Sequence, residues 1–310
     1  ALAVPGITNS EGASASWGRS AVALATSEGF AGSYGGTSHS VSVSVLAGEG
    51  TGMERDDDFL SSRHGGDLGD PASAGREAAA RALKRLNPRK AETCAVPIVY
   101  DPRVSMSLVG HFAGAINGAS IARGVSFLKD AMGKQVFARG IEIVDDPHRV
   151  RGLRSKPFDG EGVANARRAL ADDGVLTTWI MDSASARQLG LATTGHAARG
   201  TGGPPSPAVT NLYMQAGTLT PAALMADIKQ GFYVTELIGM GVNGVTGDYS
   251  RGASGFWIEN GQIAYPVNEI TIAGNLKEMF LHLTAANDLT FRYGTNAPTV
   301  RVEGMTIAGA

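Results

Sequence analysis

The chain has 310 residues, 43% of them hydrophobic and 18% charged, enough for a substantial core in one large domain or two ordinary ones. A formal net charge of −2 supplies no basic field, which argues against nucleic acid as a partner, and no apolar run is long enough to span a membrane. The single cysteine, Cys94, excludes an intrachain disulfide framework and fits a reducing compartment, so cytoplasm is the expected location.

The opening residues Ala1-Leu2-Ala3-Val4-Pro5-Gly6 carry no targeting signal and run directly into strand-like text without a Met, so a segment upstream is expected. Strands are predicted at Ala21–Thr26, Gly29–Gly36 and Val41–Val45, the last with Val and Ser alternating as on a half-buried antiparallel sheet. Glu49 to Asp70, with Asp56-Asp57-Asp58, reads as a solvated loop, because consecutive carboxylates cannot all face one cation.

A helix follows from Pro71 to Leu86, then a strand Pro97–Tyr100, then a helix capped by Asp101, with Pro102 at its first position, running to about Ala122. Gly110, Ala113, Gly114, Ala115, Gly118 and Ala119 make this helix small-sided, as if another backbone packs closely on it. Further on come strands at Ile141–Val144 and Val175–Ile180, a helix Ser183–Gly190 ended by its glycine, a mobile Gly/Pro-rich loop Ala198–Ala208 and a helix Thr220–Gln230. Asn260-Gly261 between Phe256–Glu259 and Gln262–Val267 is a hairpin signal, and a helix Asn275–Ala285 precedes a last strand Thr299–Ile307. Strands before, between and after helices, without regular alternation, predict an α+β fold dominated by antiparallel sheet.

Few motifs carry chemistry. Gly239-Met240-Gly241-Val242-Asn243-Gly244 matches G-x-G-x-x-G, but turn and strand residues follow it where a dinucleotide site needs a helix N-terminus. The six histidines form no HxxxH or HxH pair, Asp145-Asp146-Pro147 beside His148 reads as a turn, and nothing near Cys94 would lower its pKa. His111 stands alone on an apolar helix, where a hydrogen-bonded structural role competes with metal ligation.

Three stretches carry a resemblance: SLVGHFAGAINGASIARGVSF from Ser107 to Phe127, Lys156 to Val163, and Val242 to Gly274 with its run GDYSRGASGFWIENG. They resemble the TldD/PmbA family, on its PmbA/TldE-type branch, from about Val4 to Ala310. The resemblance implies the antiparallel-dominated C-terminal domain of that fold, with residues 1–95 a strand-rich region plus helix, 96–310 the core region, and a further N-terminal domain upstream.

It also implies a cytoplasmic peptidase assembled from TldD-type and TldE-type subunits, linked to microcin maturation, antitoxin turnover and modulation of DNA gyrase. TldD-type chains bind zinc through HExxxH and a later Cys. In register, Met106 and Ser107 take the places of the first His and the Glu, His111 remains, and Tyr293 falls near the Cys. Met and Ser supply neither ligand nor general base, so no zinc is expected in this chain and zinc is expected in a TldD-type partner.

The expected partner is thus a TldD-type subunit in a heterodimer, with a homodimer as the form when alone, and a peptide or unfolded polypeptide as substrate. Two alternatives remain: an autonomous peptidase using His111 with His196 or His282 and an acid such as Asp248 or Glu236, and a regulatory module that binds a protein target.

Overall fold

The computed structural model describes residues 1–309. Its first part is a long hairpin, β1 (Ile7–Ala25) and β2 (Ala31–Ala47), with β3 (Glu54–Ser62) on the other side of β2, all antiparallel. α1 (Pro71–Lys84) lies on this sheet, capped by the Asp70 side chain on Ala72 N–H with Pro71 at the first position. Its buried face is Ala74, Ala78, Ala79 and Ala82, and these small side chains let the helix settle against Val45 and Ala47.

Strands and one helix fill this region, and one expectation is corrected. Asp56-Asp57-Asp58 lies in β3, not in a solvated loop: alternation turns Asp56 and Asp58 inward, each only 4% exposed, while Asp57 faces water. Arginines from other elements make this burial tolerable, and no local pattern announces them.

The remaining chain forms two further sheets, a minor hairpin and the main core. In order come β4 (Cys94–Tyr100), α2 (Pro102–Ala115), α3 (Gly118–Ala122), β5 (Ile143–Asp145), β6 (Arg168–Asp172), β7 (Val175–Leu176) and α4 (Ser183–Leu189). Then follow β8 (Ala197–Ala198), β9 (Ser206–Pro207), β10 (Leu212–Met214), α5 (Pro221–Met225), β11 (Gln230–Ile238), β12 (Asp248–Glu259) and β13 (Gln262–Asn275). α6 (Leu276–Leu281), β14 (Leu283–Ala285), β15 (Thr295–Asn296) and β16 (Val300–Ala308) end the chain.

A six-stranded sheet runs β13-β12-β11-β4-β16-β14 and a five-stranded one β15-β10-β5-β6-β7. Parallel pairing is confined to β4 with β11 and β10 with β15 among the named strands, so the fold is α+β and predominantly antiparallel. α2 and α6 pack between the sheets around Leu108, Phe112, Phe137 and Phe280.

Local chemistry explains the boundaries. Asn260 and Gly261 both have positive φ, as a tight hairpin turn requires, and join β12 to β13. Gly190, left-handed at φ 67°, ends α4 as expected.

The predicted helix to Ala122 is broken. Ile116 closes α2, the Asn117 side chain caps α3 through Ala119 N–H, and Gly118 N–H turns to Ile180 O at 2.8 Å. Other expected elements shorten: Val175–Ile180 to β7, Thr220–Gln230 to α5, and Asn275–Ala285 to α6 followed by β14. The Gly/Pro-rich loop carries the short hairpin β8–β9, and β11 occupies residues the sequence reading left without a strand.

Candidate active-site helix and groove

α2 is fixed at its N-terminus. The Asp101 carboxylate accepts from Arg103 N–H at 2.9 Å and from the Tyr233 hydroxyl of β11 at 2.8 Å, and buried Ser105 donates to Pro298 O at 2.8 Å. Arg103 then reaches Asp56 of β3 at 2.8 Å. Arg81 bonds Asp56 and Asp58, Arg85 reaches Asp56, and Arg292 bonds Asp58 at 3.0 Å, so two buried carboxylates are held by four arginines. The result is a charged seam between the hairpin region and the helix.

At the other end of α2 lies a groove of about 350 Å³. Gly110, His111 and Gly114 form its helical wall, Val125 and Phe127 a second, and Met240, Val242 and Arg251 a third. The glycines were expected to admit a neighbouring backbone, but only Gly118 meets one closely. A Cβ at Gly110 or Gly114 would touch nothing, so those two leave the groove open.

His111 Nε2 is buried without a hydrogen-bond partner, and the ring meets Tyr249 edge-on at 6.1 Å. Burial holds its pKa below the ordinary histidine value, with the positive charge of Arg251 acting in the same direction. The imidazole is therefore neutral at neutral pH and presents a lone pair or an N–H to whatever enters.

The G-x-G-x-x-G segment supplies the third wall as a turn. Gly241 O accepts from Ser250 N–H at 2.7 Å, Asn243 N–H bonds Asp248 O, and the chain passes into β12 with no helix for a pyrophosphate.

The other motif positions do not meet His111. Met106 packs on the core, Ser107 donates to Val104 O at 2.7 Å, and neither lines the groove. Tyr293 stacks on Phe59 at 5.1 Å and lines a different cavity beside Arg103, and Arg103 lies about 12 Å along the helix from His111 at 1.5 Å per residue. Nor do the residues of the autonomous-peptidase alternative converge. His196 is buried against Asp145 at 3.4 Å with Thr194 on its other nitrogen, and His282 is exposed on Glu278 O. Glu236 pairs with Arg85 and Arg55, and Asp248 accepts from Thr246 and Asn275.

A catalytic zinc needs about three protein ligands and an open position. Among the described residues no three His, Cys, Asp or Glu side chains are placed to hold a metal ion, and the charge acting on His111 is cationic. The residues around His111 do not fit a zinc centre made by this chain alone. Arg251 and the Met240–Val242 wall escaped the sequence reading as site residues, although both sit within or beside its most specific run.

Known proteins resemble this chain over nearly its whole length. Residues 93–309 match the model of the PmbA/TldA metallopeptidase C-terminal domain, and residues 1–86 match that family's central domain. The chain belongs to this family. It is 43% identical to Metalloprotease PmbA of Escherichia coli O157:H7 and 40% identical to the PmbA homolog of Haemophilus influenzae, over 98% of this chain in both cases. It spans 66% of the length of each of these relatives.

A Metalloprotease TldD homolog of Haemophilus influenzae is 28% identical over 76% of this chain and 52% of its own length. Among solved structures, a Bacteroides thetaiotaomicron protein proposed to be a modulator of DNA gyrase superposes with a TM-score of 0.87, at 29% identity, over 96% of this chain and 66% of that one. TldE from Thermococcus kodakarensis shares the fold, with a TM-score of 0.83, 22% identity, and coverage of 96% and 68%. Membership makes this chain part of a metallopeptidase family, and a TldD homolog is among its relatives.

Proposed function

We propose that this chain is the TldE-type, zinc-free subunit of a TldD/TldE peptidase pair in the cytoplasm. Its partner carries the zinc, and its own groove helps to hold an extended peptide, with microcin precursors and antitoxins as the substrates the resemblance suggests. The observation that carries this reading is the isolation of His111: the only imidazole lining the groove shares it with glycines, apolar side chains, Ser120 and Arg251, and no carboxylate or thiolate lines it. Hydrolysis at zinc needs a ligand set and a base for the bound water, and this groove has neither.

Within the pair, the chain's residues act by position. Gly110 and Gly114 leave room for a peptide backbone, Met240 at 95% exposure and Val125 offer apolar contact, and the neutral His111 donates or accepts one hydrogen bond.

Co-purification with a TldD-type chain, followed by zinc counting and a peptide-hydrolysis assay, tests the reading. One zinc per heterodimer, with neither zinc nor activity in this chain alone, is the expected result. Stoichiometric zinc in the isolated chain, with hydrolysis abolished by chelation, overturns it.

A further inference from the structure

The run Lys156–Val163, singled out in the sequence, lies away from the His111 groove. Phe158 packs edge-on against Phe30 at 4.8 Å and Tyr34 at 5.3 Å, which seats the run on the far end of the β1–β2 hairpin. Between hairpin and run is a cavity of about 590 Å³, lined by Ala21, Val22, Ala23 and Leu24 on one side and by Lys156 and Arg199 on the other. Alternate strand residues point to opposite faces, so four in succession place the cavity along the strand's edge. β1 is the outermost strand of its sheet, and that edge has no pairing strand among the described residues.

The two cations share the cavity with one carboxylate, the buried Asp159. Lys156 Nζ donates to Ala197 O at 3.1 Å and makes no ion pair among the described residues, although the side chain is largely buried and burial lowers its pKa. An ammonium has three donors, so two remain. Asp159 and Asp145 act on it through space, while their oxygens accept directly from neutral donors, Asp159 from the N–H groups of Glu161, Val163 and Ala197 and Asp145 from Thr210 N–H and Oγ1. Arg199 is exposed and bonds nothing among the described residues. A largely buried ammonium without a direct ion pair is costly, and a carboxylate entering the cavity lowers that cost.

We propose that this cavity is a second peptide subsite, in which an extended acidic segment pairs its backbone with the free edge of β1 and places a carboxylate on Lys156 and Arg199. Strand addition supplies the backbone bonds and the cations supply the selectivity. The peptide as ligand rests on the reading of the chain as a peptide-handling subunit; the cavity and its two cations do not.

Fluorescence anisotropy with the purified chain tests it, using a fluorescein-labelled alanine peptide with two adjacent glutamates, its glutamine counterpart and an alternately N-methylated version. The glutamate peptide is expected to bind, and the glutamine and N-methylated peptides about tenfold more weakly. Arg199→Ala, on an exposed segment where folding is not at stake, and Lys156→Gln, checked by circular dichroism, are each expected to weaken the glutamate peptide about tenfold and leave the glutamine peptide unchanged.

Equal affinity for the glutamate and glutamine peptides, or wild-type affinity in Arg199→Ala, overturns the proposal. So does displacement by inorganic phosphate at the peptide's own concentration, which marks a free-anion site. No hydrolysis is read, so the outcome is independent of where zinc resides in the pair.

Discussion

Asp56 on β3 accepts the guanidinium of Arg103 on α2 at 2.8 Å. A strand of the region matching the family's central domain thereby holds the first turn of the helix that carries His111 in the C-terminal domain. Arg81 and Arg85 share the same carboxylate, so the contact is part of a network.

Removing Asp56 leaves these arginines partly buried without their shared anion. Asp56→Ala is expected to destabilise the fold by about 3 kcal/mol, because breaking a buried pair strands charge in a poor solvent. Urea denaturation measures this, and a double-mutant cycle with Arg103→Met isolates the coupling between hairpin and helix. A loss under about 1 kcal/mol would show the seam to be only a solvated surface pairing.

The glycines of α2 and α3 should respond in opposite directions. Gly110→Ala meets open space in a helix interior and is expected to stabilise by about 0.5–1 kcal/mol through lower unfolded-state entropy. Gly118→Ala drives a methyl toward Met181 Cγ at 2.7 Å and Ile180 O at 2.9 Å, and is expected to lower the thermal midpoint by several degrees. Parallel thermal melts decide, and an undiminished midpoint in Gly118→Ala would mean that α3 does not pack this closely on the Ile180–Met181 segment.

His111 predicts a pH dependence. Its pKa in the folded chain lies below the ordinary 6.5, so on acidification the unfolded chain takes up a proton first. The stability contributed by the neutral ring is complete above about pH 6.5 and is lost as pH falls through the folded value. His111→Gln should flatten that acid slope without altering stability at pH 8. NMR titration of the ring reads the pKa directly, and a midpoint at or above 6.5 contradicts the burial and the Arg251 field.

Building a His-Glu pair into α2 should not create a metal centre. In the double variant Met106→His, Ser107→Glu, the new groups sit on a part of α2 that does not line the groove, and Tyr293 still lies near the opposite end of the helix. Elemental analysis is expected to find well under one zinc per chain. Stoichiometric zinc with peptidase activity would mean that the helix can turn those positions toward His111.

Much of this was legible in local text because its causes are local. Asp101-Pro102 opens a helix through side-chain capping, Gly190 closes one by its left-handed backbone, and Asn260-Gly261 turns a hairpin. The Val-Ser alternation of β2 likewise needed only the strand period. Asp56-Asp57-Asp58 was misread because its partners Arg81, Arg103 and Arg292 lie far along the chain, and long-range charge pairing leaves no periodic trace.

By itself the sequence determined the family and the α+β antiparallel class, since composition, turn residues and motif identity are properties of the string. Only the tertiary structure decided that His111 stands alone, that Gly110 and Gly114 open a groove instead of admitting another backbone, and that Arg251 shares it. Those are relations between side chains on separate elements, and packing alone sets which of them face each other.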